Sequence, residues 1–76
     1  MLICIFEGNI NIYYDVQPWY TIRFIKERIR YQFNIPIINQ ELTFIQGKEL
    51  HDDKTLEYYN ITPDSELFLN VIPLCV

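Results

Sequence analysis

Met1 to Phe6 is continuously apolar, with β-branched Ile3 and Ile5, and a second run from Ile10 to Val16 follows after Glu7-Gly8-Asn9. Gly8-Asn9 is a two-residue turn able to take positive φ, so the two runs predict a β-hairpin. Side chains alternate between faces along a strand. If Ile3 and Ile5 point inward, Leu2, Cys4 and Phe6 point outward; on the second strand Ile12, Tyr14 and Val16 are the inward set and Asn11, Tyr13 and Asp15 the outward one.

After Pro18 the period changes from two to between three and four. Ile22, Ile25 and Ile29 form an amphipathic stripe, Thr21 is the expected N-cap, and the helix is predicted to run to Gln32 or Phe33. Asn34 suits a left-handed C-terminal position, and Pro36 biases Ile35 away from the helical region. Glu41 to Ile45 then reads as a strand with Leu42 and Phe44 inward, Gln46-Gly47 as a turn, and Lys48 to Leu50 as a short strand. Thr55 to Tyr59 is a single helical or 3₁₀ turn capped by Thr55, followed by a corner at Asn60-Ile61. Glu66 to Ile72 alternates strictly, with Leu67, Leu69 and Val71 set against Glu66, Phe68, Asn70 and Ile72. The order ββαβ(β)β, with one helix and one sheet each hiding the other's apolar face, predicts an α+β domain of two layers.

That order is similar to the β-grasp fold, in which a mixed sheet of about five strands grips one helix. The residues resemble its ubiquitin-like branch. From Gly47 to Leu69 the likeness to ubiquitin needs no gap, through Gly47-Lys48, Leu50, Asp52, Thr55-Leu56, Tyr59-Asn60-Ile61, Ser65, Leu67 and Leu69. In the first half Ile3, Ile5, Ile12, Val16, Pro18, Thr21-Ile22, Ile25-Lys26, Ile29 and Ile35-Pro36 fall on the family's core, cap and helix-exit positions. Two adjustments are needed there: a hairpin turn one residue shorter, and one residue inserted near Ile45-Gln46. One domain over residues 1–76 is expected, with a folded core of 1–72 and a tail of 73–76.

The resemblance implies structural roles for Thr21, Lys26, Asp52 and Tyr59: a helix cap, an ion pair between Lys26 and Asp52, and a phenol that closes the loop from Leu50 to Leu56. It also frames three departures. Where the family carries the Gly-Gly pair used for conjugation, this sequence has Pro73-Leu74-Cys75-Val76, whose side chains would obstruct the clefts that accept a glycine tail. At the positions of the receptor-binding patch it has Thr43, Phe68 and Asn70, and its short turn lacks the patch's leucine. Of the three lysines, Lys48 alone matches a linkage site and is expected to be exposed.

Composition narrows the function classes. A chain of 76 residues buries only roughly 60 to 65% of its unfolded surface, and the 50% hydrophobic and 16% aromatic content supplies a dense core. A net charge of −4, with Arg23, Lys26, Arg28 and Arg30 confined to one helix beside Glu27, argues against a nucleic-acid partner. No apolar run reaches the ~18 residues of a membrane span, so no membrane partner is expected. Cys4 and Cys75 show no zinc or redox spacing and no disulfide is expected, which fits an intracellular protein of the cytoplasm or nucleus. His51 beside Asp52 and Asp53 does not make an oriented triad, and two glycines cannot build a phosphate loop, so neither an enzyme nor a cofactor is expected.

The outward positions are more apolar than a solitary domain needs. Leu2, Cys4, Phe6, Tyr13, Phe68 and Ile72, with Thr43, Lys48 and Asn70, form the expected partner-binding surface. Another domain of the same polypeptide or a second copy of the chain would cover the same surface, although a monomer is expected. Trp19, Tyr20, Phe24, Tyr31, Phe33, Ile37 and Ile38 make a second apolar group around the helix, part of it exposed. The implied function is a protein interaction module that docks non-covalently. The alternative is a diverged modifier, or a mimic of one, engaging the ubiquitin pathway.

Overall fold

A computed structural model describes residues 1–44 and 47–72. The hairpin forms as its turn chemistry requires: β1 (Leu2–Glu7) and β2 (Ile10–Asp15) pair antiparallel from Leu2 opposite Asp15 to Glu7 opposite Ile10. Gly8 takes φ +56°, a left-handed value that costs a residue without a Cβ little. Ile3, Ile5, Ile12, Tyr14 and Val16 are buried, so the alternation assigned both faces correctly.

Helix α1 (Ile22–Phe33) buries Ile22, Ile25, Lys26 and Ile29. Thr21 Oγ1 accepts the Phe24 N–H at 3.2 Å, and Asn34, at φ 59°, donates its backbone N–H to the Arg30 carbonyl. The loop from Asp52 to Lys54 meets the remaining early donors: Ile22 N–H bonds the Lys54 carbonyl at 2.9 Å and Arg23 N–H the Asp52 carbonyl at 3.1 Å. The helix start and that distant loop are thus one hydrogen-bonded unit, which satisfies groups a helix terminus otherwise leaves open.

A short 3₁₀ turn at Ile37–Asn39 leads into β3 (Gln40–Phe44), and a second at Glu57–Tyr59 precedes β4 (Glu66–Val71). Thr55 Oγ1 accepts the Tyr58 N–H at 3.1 Å, and Asn60 turns the corner at φ 57°. The sheet order is β2-β1-β4-β3, with β1 and β4 parallel and the other pairs antiparallel. Among the described residues this is a mixed four-stranded sheet on one helix, the β-grasp arrangement.

Three expectations change. The fifth strand at Lys48 to Leu50 is reduced to a single bridge between Thr43 and Glu49, flanked by Phe44 N–H to the Lys48 carbonyl and Leu50 N–H to the Leu42 carbonyl. Leu50 then enters the core and the pairing ends. Val71, expected inward, is 41% exposed. The pairing of β4 with β1 stops at Phe68, so Val71 has a neighbouring strand on one side only. Thr43, expected on the outer surface, is 7% exposed because Phe68 flanks it on one side and the Glu49 bridge on the other. The end of the predicted strand at Ile45, the Gln46 half of the turn and the tail at 73–76 lie outside the described residues.

Candidate protein-docking surfaces

Strand register decides which outward side chains meet. Phe6 of β1 lies opposite Phe68 of β4, and Phe68 lies opposite Thr43 of β3, so one row crosses the sheet with Asn11 of β2 at its far end. The Phe6 and Phe68 rings sit 5.5 Å apart at a tilt of 33°, within the range favourable for aromatic pairs. The next row holds Tyr13, Cys4 and Glu66, and beyond it Leu2 faces Asp15. Leu2, Tyr13 and Ile72 are exposed, while Cys4, Phe6 and Phe68 are half-buried by one another.

The structure therefore gathers Leu2, Cys4, Phe6, Tyr13 and Phe68 on one sheet face. Thr43 belongs to the row but offers little surface. Asn70 stands opposite Glu41, its amide 3.4 Å from the Glu41 carboxylate, so its polarity is partly met within the sheet. Lys48 is exposed, but its ammonium lies 5.6 Å from the centre of the Tyr59 ring, which ties it to the neighbouring loop. Asp15, Glu41 and Glu66 border this face, giving an apolar centre an acidic edge.

The four residues assigned structural roles are all engaged. Lys26 Nζ approaches Asp52 Oδ1 to 2.6 Å with the lysine side chain almost wholly buried. The Tyr59 hydroxyl accepts the His51 N–H at 2.9 Å, closing the loop that Leu50 and Leu56 anchor in the core. His51 is exposed, and its neighbour Asp52 is committed to Lys26. Cys4 is a free thiol. No set of three or more His, Cys, Asp or Glu side chains among the described residues is placed to hold a metal ion, and no described helix is long and apolar enough to cross a membrane.

Two polar anchors escaped sequence reasoning. Gln40, 4% exposed, donates its side-chain amide to the carbonyls of Lys26 and Ile35, both at 2.9 Å, and so fastens β3 to the body of the helix and to the segment that leaves it. The Tyr14 hydroxyl donates to Gln32 Oε1 at 2.8 Å, tying β2 to the last turn of α1. Tyr14 was legible as a core residue, and the need of a buried phenol for a partner was the signal that such a bond existed.

Burial pushes the Tyr14 phenol above its ordinary 10.0, and the Arg28 guanidinium, 5.7 Å from the ring centre, pulls it partly back. A group whose pKa is raised by folding stabilises the native state fully below its unfolded value and loses that contribution as pH rises through the folded value. Thermal midpoints are therefore expected to fall above about pH 10, and Tyr14→Phe to flatten that fall while costing about 1 kcal/mol at neutral pH through the lost hydrogen bond. Equal alkaline slopes for the two proteins would show that Tyr14 is not responsible.

The comparisons with known proteins agree with this geometry. The model of the ubiquitin family matches residues 3–74. Ubiquitin-like protein 4A of Rattus norvegicus is 44% identical over 50 residues, which is 66% of this chain and 31% of that protein. The Oryctolagus cuniculus form is 37% identical over 68 residues, 90% of this chain and 40% of its own length. This chain thus spans between about a third and two fifths of Ubiquitin-like protein 4A. NEDD8-like protein RUB3 of Arabidopsis thaliana is 43% identical over 63 residues, 83% of this chain and 77% of that protein. With the helix clasped by a mixed sheet and a family match over nearly every position, the chain belongs to the ubiquitin family.

Proposed function

We propose that this ubiquitin-like chain is a protein interaction module that docks non-covalently through the outer sheet face centred on Phe6 and Phe68. The observation carrying the reading is that aromatic pair, set in one row across the sheet with exposed Leu2 and Tyr13 beside it. Aromatic side chains surrounded by polar groups are the usual anchors of protein interfaces, because they exclude much water at little conformational cost. The acidic edge of Asp15, Glu41 and Glu66 favours a partner that brings an apolar anchor bordered by Lys or Arg.

Phe68→Asp tests the reading, since it places a charge at the centre of the face while leaving the inward side of β4 untouched. Loss of an anchor worth about 2 kcal/mol lowers affinity roughly thirtyfold. Quantitative capture from lysate should therefore lose its specific proteins with Phe68→Asp. A bound set unchanged by the substitution, in a variant whose circular dichroism matches the parent, would exclude this face.

A second reading, a diverged modifier or modifier mimic, draws on the likeness to NEDD8-like protein RUB3 over most of that protein and on the exposed Lys48. Incubation with activating enzyme and ATP separates the two. A thioester on this chain would favour the modifier, and none is expected.

A further inference from the structure

The most exposed large apolar side chain among the described residues, Tyr31 at 93%, lies on the opposite side of the molecule from the Phe6–Phe68 face. Helix α1 packs its Ile22, Ile25 and Ile29 stripe onto the inner side of the sheet, so its outer side faces away from the proposed sheet-face interface. Phe24 and Tyr31 share that outer side, seven positions and two turns apart, with Arg28 between them along the same surface. Phe24, Glu27, Arg28, Tyr31 and Gln32 line a shallow open depression. Tyr20 extends the aromatic line, its ring 4.5 Å from that of Phe24, and Trp19 adds an edge contact at 6.3 Å.

Charge separates this surface from the rest of the chain. The helix carries four cations against one carboxylate, a net +3, whereas the other residues carry two cations against nine carboxylates, a net −7, which together give the chain's −4. Lys26 is consumed by Asp52, and Glu27 is held by Arg23 across 3.7 Å at the exposed surface. Arg28 is exposed and lines the depression with Phe24 and Tyr31, and Arg30 is a further exposed cation of the same helix. Among the helix-outer residues the hydrogen-bond donors of the first turn are already occupied, so the attraction for an anion comes from these side chains and not from the helix end.

We propose that the outer side of α1 is a second docking surface, and that its occupant is an acidic amphipathic peptide segment of another protein, which lays apolar residues over Phe24 and Tyr31 and a carboxylate against Arg28 between them. The charge pattern selects this occupant. The sheet face is bordered by acids, whereas here Arg28 is exposed and the one acid of the helix, Glu27, is already paired with Arg23, so a single partner chemistry does not fit both. A guanidinium beside an aromatic ring also pairs with a carboxylate in a fixed planar geometry, which a lysine-lined surface would not provide.

The test uses the whole chain and a fluorescein-labelled 16-residue peptide with Leu and Phe recurring at helical spacing among Glu residues, alongside the same peptide with every Glu replaced by Gln. Saturable binding of the acidic peptide is expected, at least tenfold tighter than the Gln version, with amide shifts confined to Phe24, Arg28, Tyr31 and their neighbours. Arg28→Glu and Tyr31→Ala should each weaken it at least fivefold, and because both side chains are exposed the variants should fold. Phe68→Asp should leave it unchanged, which keeps this surface separable from the sheet-face reading. Equal binding of the two peptides, shifts on the sheet face, binding only to anionic lipid vesicles, or self-association through Arg28 in place of peptide binding would each overturn the proposal.

Discussion

Leu67→Ala is expected to lower the folding free energy by about 3 to 4 kcal/mol, within the usual range for a buried leucine reduced to alanine. Leu67 is 1% exposed on β4, opposite Ile5 of β1 on one side and Phe44 of β3 on the other. Its side chain points from an interior strand into the layer that Ile25, Ile29 and Leu56 fill, so neighbours held on both sides cannot relax into the space. A domain of this size has about 4 to 11 kcal/mol in all, and the variant should be close to unfolding at physiological temperature. Urea denaturation checks this: the midpoint should fall with the slope unchanged. Val71→Ala, on the same strand and the same alternation but 41% exposed, should cost under about 1 kcal/mol. A loss under about 1 kcal/mol for Leu67→Ala as well would mean that β4 is not the centre of the core.

The second large effect concerns a charge. Asp52→Ala leaves the Lys26 ammonium buried beside the helix without its carboxylate. Breaking a fully buried pair from one side costs about 3 to 5 kcal/mol. Asp52 is 40% exposed, so water reaches the site and about 2 to 3 kcal/mol is the expected loss here. Lys26→Met, which removes the cation and keeps the apolar stem, should cost less, because the carboxylate left behind is partly hydrated. The double variant should resemble Lys26→Met alone. A double-mutant cycle of four denaturation curves measures the difference, and additive losses would show that the 2.6 Å contact contributes nothing of its own.

Most of the fold was legible because local chemistry and period agreed. Thr21, Asn34 and the isoleucine stripe marked the helix to within a residue, and Gly8 with alternating neighbours marked the hairpin. The ion pair and the Tyr59 contact were reached through family likeness, since nothing in the spacing of Lys26 and Asp52 shows that they touch. What stayed hidden concerns what covers a face. Alternation places Thr43 outward and Val71 inward, but the Glu49 bridge covers the first and the end of the β1 ladder leaves the second without a neighbour. Gln40 was hidden for a related reason. A polar residue at the start of a strand reads as solvent-facing until the carbonyls of Lys26 and Ile35 are seen beside it.

The charge contrast between the layers was visible as a basic helix within an acidic chain, although its use was not. In sequence the cluster reads as a solvated helix face. The structure adds that Phe24 and Tyr31 line one depression with Arg28 and that the acids border the other surface.

The parallel pairing of β1 with β4 has a consequence for synthesis. Ile5 meets Leu67 only after the intervening 61 residues exist, so the hairpin and the helix can form early on a ribosome while the middle of the sheet stays open. Until β4 emerges, β1 presents a bare apolar edge, the kind of strand that recruits chaperones or sticks to its neighbours. Assembly is therefore gated by the arrival of the last strand, and a nascent chain stalled before Glu66 would be trapped with its seam unclosed.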